Sequence, residues 1–192
     1  FVFFGSEESG ATSYYYWLVG SKAYYTAHES ELNNVAGFLS LDSIGYPEPA
    51  NKYIATSADL QEYAKHVKRK IRNSPEIVFY GPAAYGSDHW FFETGGIPTV
   101  YGVTFPSDFY HTQKDSPQFL DYECVEFYAN YMREVLWDLS NRTLLPLNIF
   151  SVFEKWREIL DSYQQKPDNP FNLEDIQDLT TKCIEKKNRF EK

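Results

Sequence analysis

Glu7 and Glu8 stand side by side just after the apolar run Phe1-Val2-Phe3-Phe4 and the small pair Gly5-Ser6. Such a run reads as a strand buried on both faces. Two adjacent carboxylates at its end are costly to place unless compensated, because buried charges are normally paired or bound to metal. On a regular strand neighbouring side chains point to opposite faces. At an irregular strand end they can flank one site, one carboxylate gripping a metal and the other handling a proton. The competing reading is two solvated acids at a strand-to-helix turn, where negative charge suits a helix N-terminus. The pair alone does not separate the two.

Three downstream segments bear on the choice. Leu39-Ser40-Leu41-Asp42-Ser43-Ile44-Gly45 is a second apolar run ending in a carboxylate and a glycine. Gly86-Ser87-Asp88-His89 leads into Trp90-Phe91-Phe92 and Gly96-Ile97-Pro98, and Phe109-Tyr110-His111-Thr112 is followed by Asp115-Ser116-Pro117. In this order the set resembles the zinc aminopeptidases and carboxypeptidases of the co-catalytic, two-zinc type, the M28 metallopeptidases. The resemblance covers the C-terminal part of that peptidase domain, residues 1–141 here. It implies Glu7 as general base, Glu8 and His111 as ligands of one zinc, Asp42 as a ligand of a second, and Tyr110 as donor to the oxyanion. The residue types suit that chemistry. Carboxylate and imidazole are ligands that catalytic zinc accepts. Two metals about 3.5–4 Å apart can activate one water and polarise a carbonyl.

The family also uses an upstream His-x-Asp pair, whose His binds the second zinc and whose Asp bridges both. Nothing before Phe1 supplies it, and His28, in Ala27-His28-Glu29, lies on the wrong side of the carboxylate pair. The only methionine is Met132. The expectation is therefore the C-terminal portion of a larger protein, which as an isolated chain is an incomplete enzyme.

The elements that must position these residues alternate. Strands are expected over Phe1–Phe4, Val35–Asp42, Lys52–Ala55, Glu76–Tyr80 and Ile97–Thr104, and a helix over Ala11–Tyr25. Ser57 can cap a helix to about Arg72, with Leu60, Ala64, Val67 and Ile71 on one face and Lys65, His66, Lys68, Arg69 and Lys70 on a solvated one. Asp115-Ser116-Pro117 predicts the start of a helix to about Leu139 that buries Cys124, Tyr128, Tyr131 and Val135. Asp115 either hydrogen-bonds near the His111 loop or simply starts that helix. The alternation predicts an α/β fold: three αβα layers around a mostly parallel sheet, with site residues at strand ends. Beyond Leu139, Ile149, Phe153, Trp156, Leu160 and Tyr163 form one helical stripe. Lys166–Pro170 breaks it, and Asn172 can cap a last helix. Residues 146–192 read as an appended C-terminal helical hairpin.

His89 reads as a structural group near a substrate pocket, and His28 and His66 as surface residues. A chain of 192 residues supports one sizeable core, and 16 Tyr with 15 Phe supply much of it. The net charge of −9 argues against a nucleic-acid partner. No run is apolar and long enough to span a bilayer. Cys124 and Cys183 have no metal-ligand spacing and read as buried thiols. The resemblance implies as leading function a zinc exopeptidase with two ions, an aminopeptidase in preference to a carboxypeptidase, with a peptide as substrate. A single-zinc glutaminyl-peptide cyclase and a non-catalytic receptor on the same fold are the alternatives. A homodimer, or association with its own upstream segment, is left open as a partner.

Overall fold

Runs rich in aromatic and β-branched residues form the four strands of the computed structural model, which describes residues 1–8, 17–82, 86–166 and 172–190. They are β1 (Phe38–Leu41), β2 (Asn51–Thr56), β3 (Val78–Tyr80) and β4 (Thr99–Phe105), in the sheet order β1-β4-β2-β3. β1 pairs parallel with β4 and β2 parallel with β3, while β2 runs antiparallel to β4. The chain is α/β, with one antiparallel pairing inside an otherwise parallel sheet.

Alternation along the strands separates two faces. One carries Ile54 and Val100, packed under α2 (Gln61–Lys70) and α4 (Tyr122–Asn141) with Leu60, Ala64, Val67, Tyr128, Tyr131 and Val135. The Tyr128 hydroxyl lies 2.9 and 2.8 Å from the carbonyls of Tyr53 and Val103, tying α4 to both antiparallel strands. On the opposite face α1 (Val19–Ala27) and α3 (Trp90–Thr94) join β1 through stacked Phe38 and Phe92, 4.1 Å apart. The apolar stripe expected on α2 is thus the buried one. Its basic face is exposed or half-buried, with Lys65 paired to Glu62.

Two expectations are corrected. Residues 1–4 form no strand, and Phe1 and Phe3 are exposed. A strand needs a neighbour to complete its ladder, and no described strand pairs with this segment. Among the described residues Phe4 packs against Tyr24, Phe38 and Phe92. The helix expected from Ser116 starts at Tyr122. Ser116 is extended and makes no side-chain cap, Pro117–Phe119 is a single 3-10 turn, and Leu120 is extended. Asp121 caps instead, accepting from the Cys124 N–H at 3.1 Å. The expected helix over Ala11–Tyr25 falls partly on residues 9–16, outside the described ones; α1 begins at Val19.

The chain divides into two compact units, Phe1–Pro146 and Leu147–Lys192. In the second, α5 (Ile149–Gln164) is capped by Asn148 and α6 (Glu174–Phe190) by Asn172, whose side-chain Oδ1 accepts from the Glu174 N–H. Lys187 pairs with Glu154, and Gln177 donates to Asp161 across the two helices. Residues 167–171, where the break was expected, lie outside the described ones. Cys124 is buried and Cys183 half-buried, both as free thiols.

Candidate active site

The segment carrying Glu7 and Glu8 is fastened to the start of α1. The Leu18 N–H donates to the Glu7 carbonyl at 2.7 Å and the Val19 N–H to that of Ser6 at 3.3 Å, which occupies two of the amides a helix start leaves unpaired. Gly20 makes the approach possible: a Cβ there would lie 1.9 Å from the Gly5 carbonyl oxygen. Asp42 leaves the end of β1, its N–H donating to the Gly102 carbonyl at 3.1 Å and its carboxylate accepting from the Ser43 hydroxyl at 3.0 Å. Tyr110 and His111 lie in the turns after β4.

These turns bring His111 to the carboxylate pair. Its Nε2 sits 2.5 Å from Glu8 Oε1, a contact between residues 103 apart in sequence. The Tyr110 ring stacks on His111 at 3.7 Å and meets Phe105 edge-on. Burial, then the charges of Glu8, Asp42 and Asp88, push the Glu7 carboxyl up to about 7. Burial and the charges of Glu8, Asp42 and Glu7 raise the Tyr110 phenol as well. Burial, and then Asp42, raises Asp88. Glu7, Glu8, Asp42, Tyr110 and His111 therefore share one neighbourhood, with negative charge concentrated in it.

Asp88 belongs to that neighbourhood, although the sequence singled it out only within the Ser87-Asp88-His89 segment. His89 is buried and its ring stacks on Tyr101 at 4.3 Å. Tyr101 in turn lines a cavity of about 480 Å³ with Asp42, Tyr53, Tyr80 and Tyr110. His28 is half-buried rather than superficial, its Nδ1 2.9 Å from the Tyr24 carbonyl and its ring stacked on Tyr24. His66 is exposed. Among the described residues no group of three or more His, Cys, Asp or Glu side chains forms a ready metal cage. The donors still suit zinc: a carboxylate and an imidazole nitrogen already meet, and the charges of Glu8, Asp42 and Asp88 converge on Glu7 and raise its carboxyl.

The model of peptidase family M28 matches residues 1–136. This chain belongs to peptidase family M28. No curated protein sequence matches the M28 chain, but solved structures share its fold. An aminopeptidase from Aneurinibacillus sp. strain AM-1 aligns at TM-score 0.55 and 22% identity, over 71% of this chain and 32% of that one. LapA aminopeptidase of Legionella pneumophila aligns at TM-score 0.58 and 15% identity, over 73% and 38%. BSAP, a zinc aminopeptidase from Bacillus subtilis, aligns at TM-score 0.59 and 24% identity, over 70% and 34%. The M28 chain thus spans about a third of the length of these structures.

Proposed function

We propose that the full-length protein is a zinc-dependent exopeptidase, an aminopeptidase in preference to a carboxypeptidase. The observation that carries this is the meeting of Glu8 with His111 beside a Glu7 whose pKa is pushed up to about 7 by burial and by Glu8, Asp42 and Asp88. Glu8 and His111 would hold one zinc and Asp42 a second. Bound zinc supplies Lewis acidity toward the scissile carbonyl and a lowered pKa for water.

Glu7 takes the proton of the attacking water and hands it to the leaving amine. A general base works best with a pKa near the operating pH. Cations held by Glu8 and Asp42 would lower the Glu7 value again, by relieving the repulsion that raises it. Tyr110 keeps its proton, because burial and three carboxylates disfavour the phenolate, and it donates to the developing oxyanion. The adjoining cavity, walled by Tyr53, Tyr80, Tyr101 and Val103, receives a substrate side chain. The hairpin of residues 146–192 is read as an extension outside this chemistry.

The test is Glu7→Gln in the full-length protein. Peptide hydrolysis should fall by about 10²–10⁴-fold while zinc content, measured by atomic absorption, stays near two ions per chain. Loss of zinc from Glu7→Gln but not from Glu8→Gln would exchange the two roles. One ion with cyclisation of N-terminal glutamine would favour the cyclase, and neither zinc nor turnover the receptor.

A further inference from the structure

The loop leaving Asp42 and the turns carrying Tyr110 and His111 follow different strands, yet one side chain spans them. Tyr46 is only 3% exposed. Its N–H donates to Thr104 Oγ1 at 3.0 Å, and the Thr104 hydroxyl and amide both donate to the Ser43 carbonyl, at 2.5 and 3.2 Å. The Asp121 N–H donates to the Gly45 carbonyl at 2.8 Å. The backbone from Ser43 to Tyr46 is thus fixed to β4 on one side and to the start of α4 on the other.

From that anchorage the Tyr46 hydroxyl donates to Asp115 Oδ2 at 2.7 Å, across 69 residues of sequence. Asp115 closes the turn series after His111, its own N–H donating to the Thr112 carbonyl at 3.1 Å. The Tyr46 ring meets Tyr110 edge-on, at 6.5 Å between centroids and 81° between planes. His111 has φ +56° and Ser43 φ +48°. Side chains rarely adopt such backbone unless the surroundings impose it. Burial and the Asp115 carboxylate hold the Tyr46 phenol far above its ordinary range, so it remains a donor at any working pH.

We propose that Tyr46 and Asp115 form a latch that positions the Tyr110–His111 turn against the Asp42 loop. Both are positioning residues, and their relevance to turnover rests on the reading of Tyr110 and His111 given above. The latch itself is a statement about geometry and is testable without turnover.

The experiment compares Tyr46→Phe, Asp115→Ala, their double variant and Asp115→Asn in the zinc-loaded full-length protein. The control is Tyr131→Phe, which removes a comparable buried bond, from the Tyr131 hydroxyl to the Ala64 carbonyl at 3.0 Å. Tyr46→Phe and Asp115→Ala should each lower kcat on the order of 10- to 10²-fold with KM little changed, as expected of misplaced groups. The double variant should lose no more than either single one. Asp115→Asn should recover most of the loss, since its carbonyl accepts the same bond, and Tyr131→Phe should melt earlier at unchanged kcat. In histidine-labelled protein, Tyr46→Phe should shift or split the His111 imidazole NMR signals and leave those of His66 in place. Wild-type kcat with unmoved His111 signals in Tyr46→Phe, or losses that add in the double variant, would overturn the latch. Should the wild type show neither zinc nor turnover, the proposed function fails, and the His111 signals alone decide the latch.

Discussion

The two sides of the candidate site are built to different standards. The Asp42 side is enclosed: Gly102, Thr104, Asp121 and Asp115 each hold a backbone or side-chain group between Asp42 and Tyr46. Among the described residues, the Glu7–Glu8 side is held by the Leu18 and Val19 amides at the start of α1, the Gly5–Gly20 contact and the Phe4 ring. Glu8 and His111 meet with side chains 62% and 53% exposed. Exposed ion pairs contribute roughly 0–1 kcal/mol. The comparison teaches that the rigid side belongs to the fold, whereas the carboxylate pair is placed by a few contacts that can be altered separately.

The largest effect is expected on the enclosed side. Gly45 has φ +92°, and a Cβ there would lie 2.5 Å from Val125 Cγ2. Gly45→Ala should therefore destabilise the first unit by about 2–3 kcal/mol, from backbone strain and overpacking together. Chemical denaturation measures this, and an unchanged midpoint would break the contrast. On the looser side, Gly20→Ala forces the Gly5–Glu8 segment away from α1. The clash is with backbone and the amide bonds to Glu7 and Ser6 are given up, so stability should fall by about 1–2 kcal/mol even though alanine favours a helix. Zinc affinity by competition titration should fall on the order of tenfold, the scale of a disturbed ligand support. Equal losses of stability from both substitutions would erase the distinction.

The smallest effect is a pH slope in zinc-free protein. Glu7 is raised from 4.5 to about 7 on folding, so the folded state binds more protons than the unfolded one between those values. Stability conferred by the protonated form is full below about pH 4.5 and declines as pH rises towards 7. Thermal melts across that range should show the decline, and Glu7→Gln should flatten it. A slope that survives in Glu7→Gln belongs to another group.

Much of the sheet and its helices was legible because periodicity and caps are local. Leu60, Ala64 and Val67 at helical spacing became the buried stripe of α2, and Asn172 capped α6 as read. The reading failed where a distant partner decides. Phe1–Phe4 has the composition of a strand, but a ladder requires a neighbour that local pattern cannot supply. Ser116-Pro117 has the look of a helix start, yet the helix begins where Gly45 holds the Asp121 amide. Within the site, Glu7, Glu8, Asp42, Tyr110 and His111 stood out by motif, and the structure gathers them into one neighbourhood. Tyr46 did not stand out, because its meaning lies in an acceptor 69 residues away.

The Glu8–His111 contact, described above as geometry, is also a closed loop of the chain. It joins residues 103 positions apart. Closing a flexible loop costs an entropy that grows only with the logarithm of its length, roughly 0.6 kcal/mol per doubling. Over a loop of this length the cost sums to about 4 kcal/mol, more than an exposed pair supplies by itself. In the folded chain β1 pairs with β4, so the sheet already closes much of that loop whether or not the pair forms. The contact is thus a passenger of the fold, and the chemistry of its two side chains can vary without the sheet having to change.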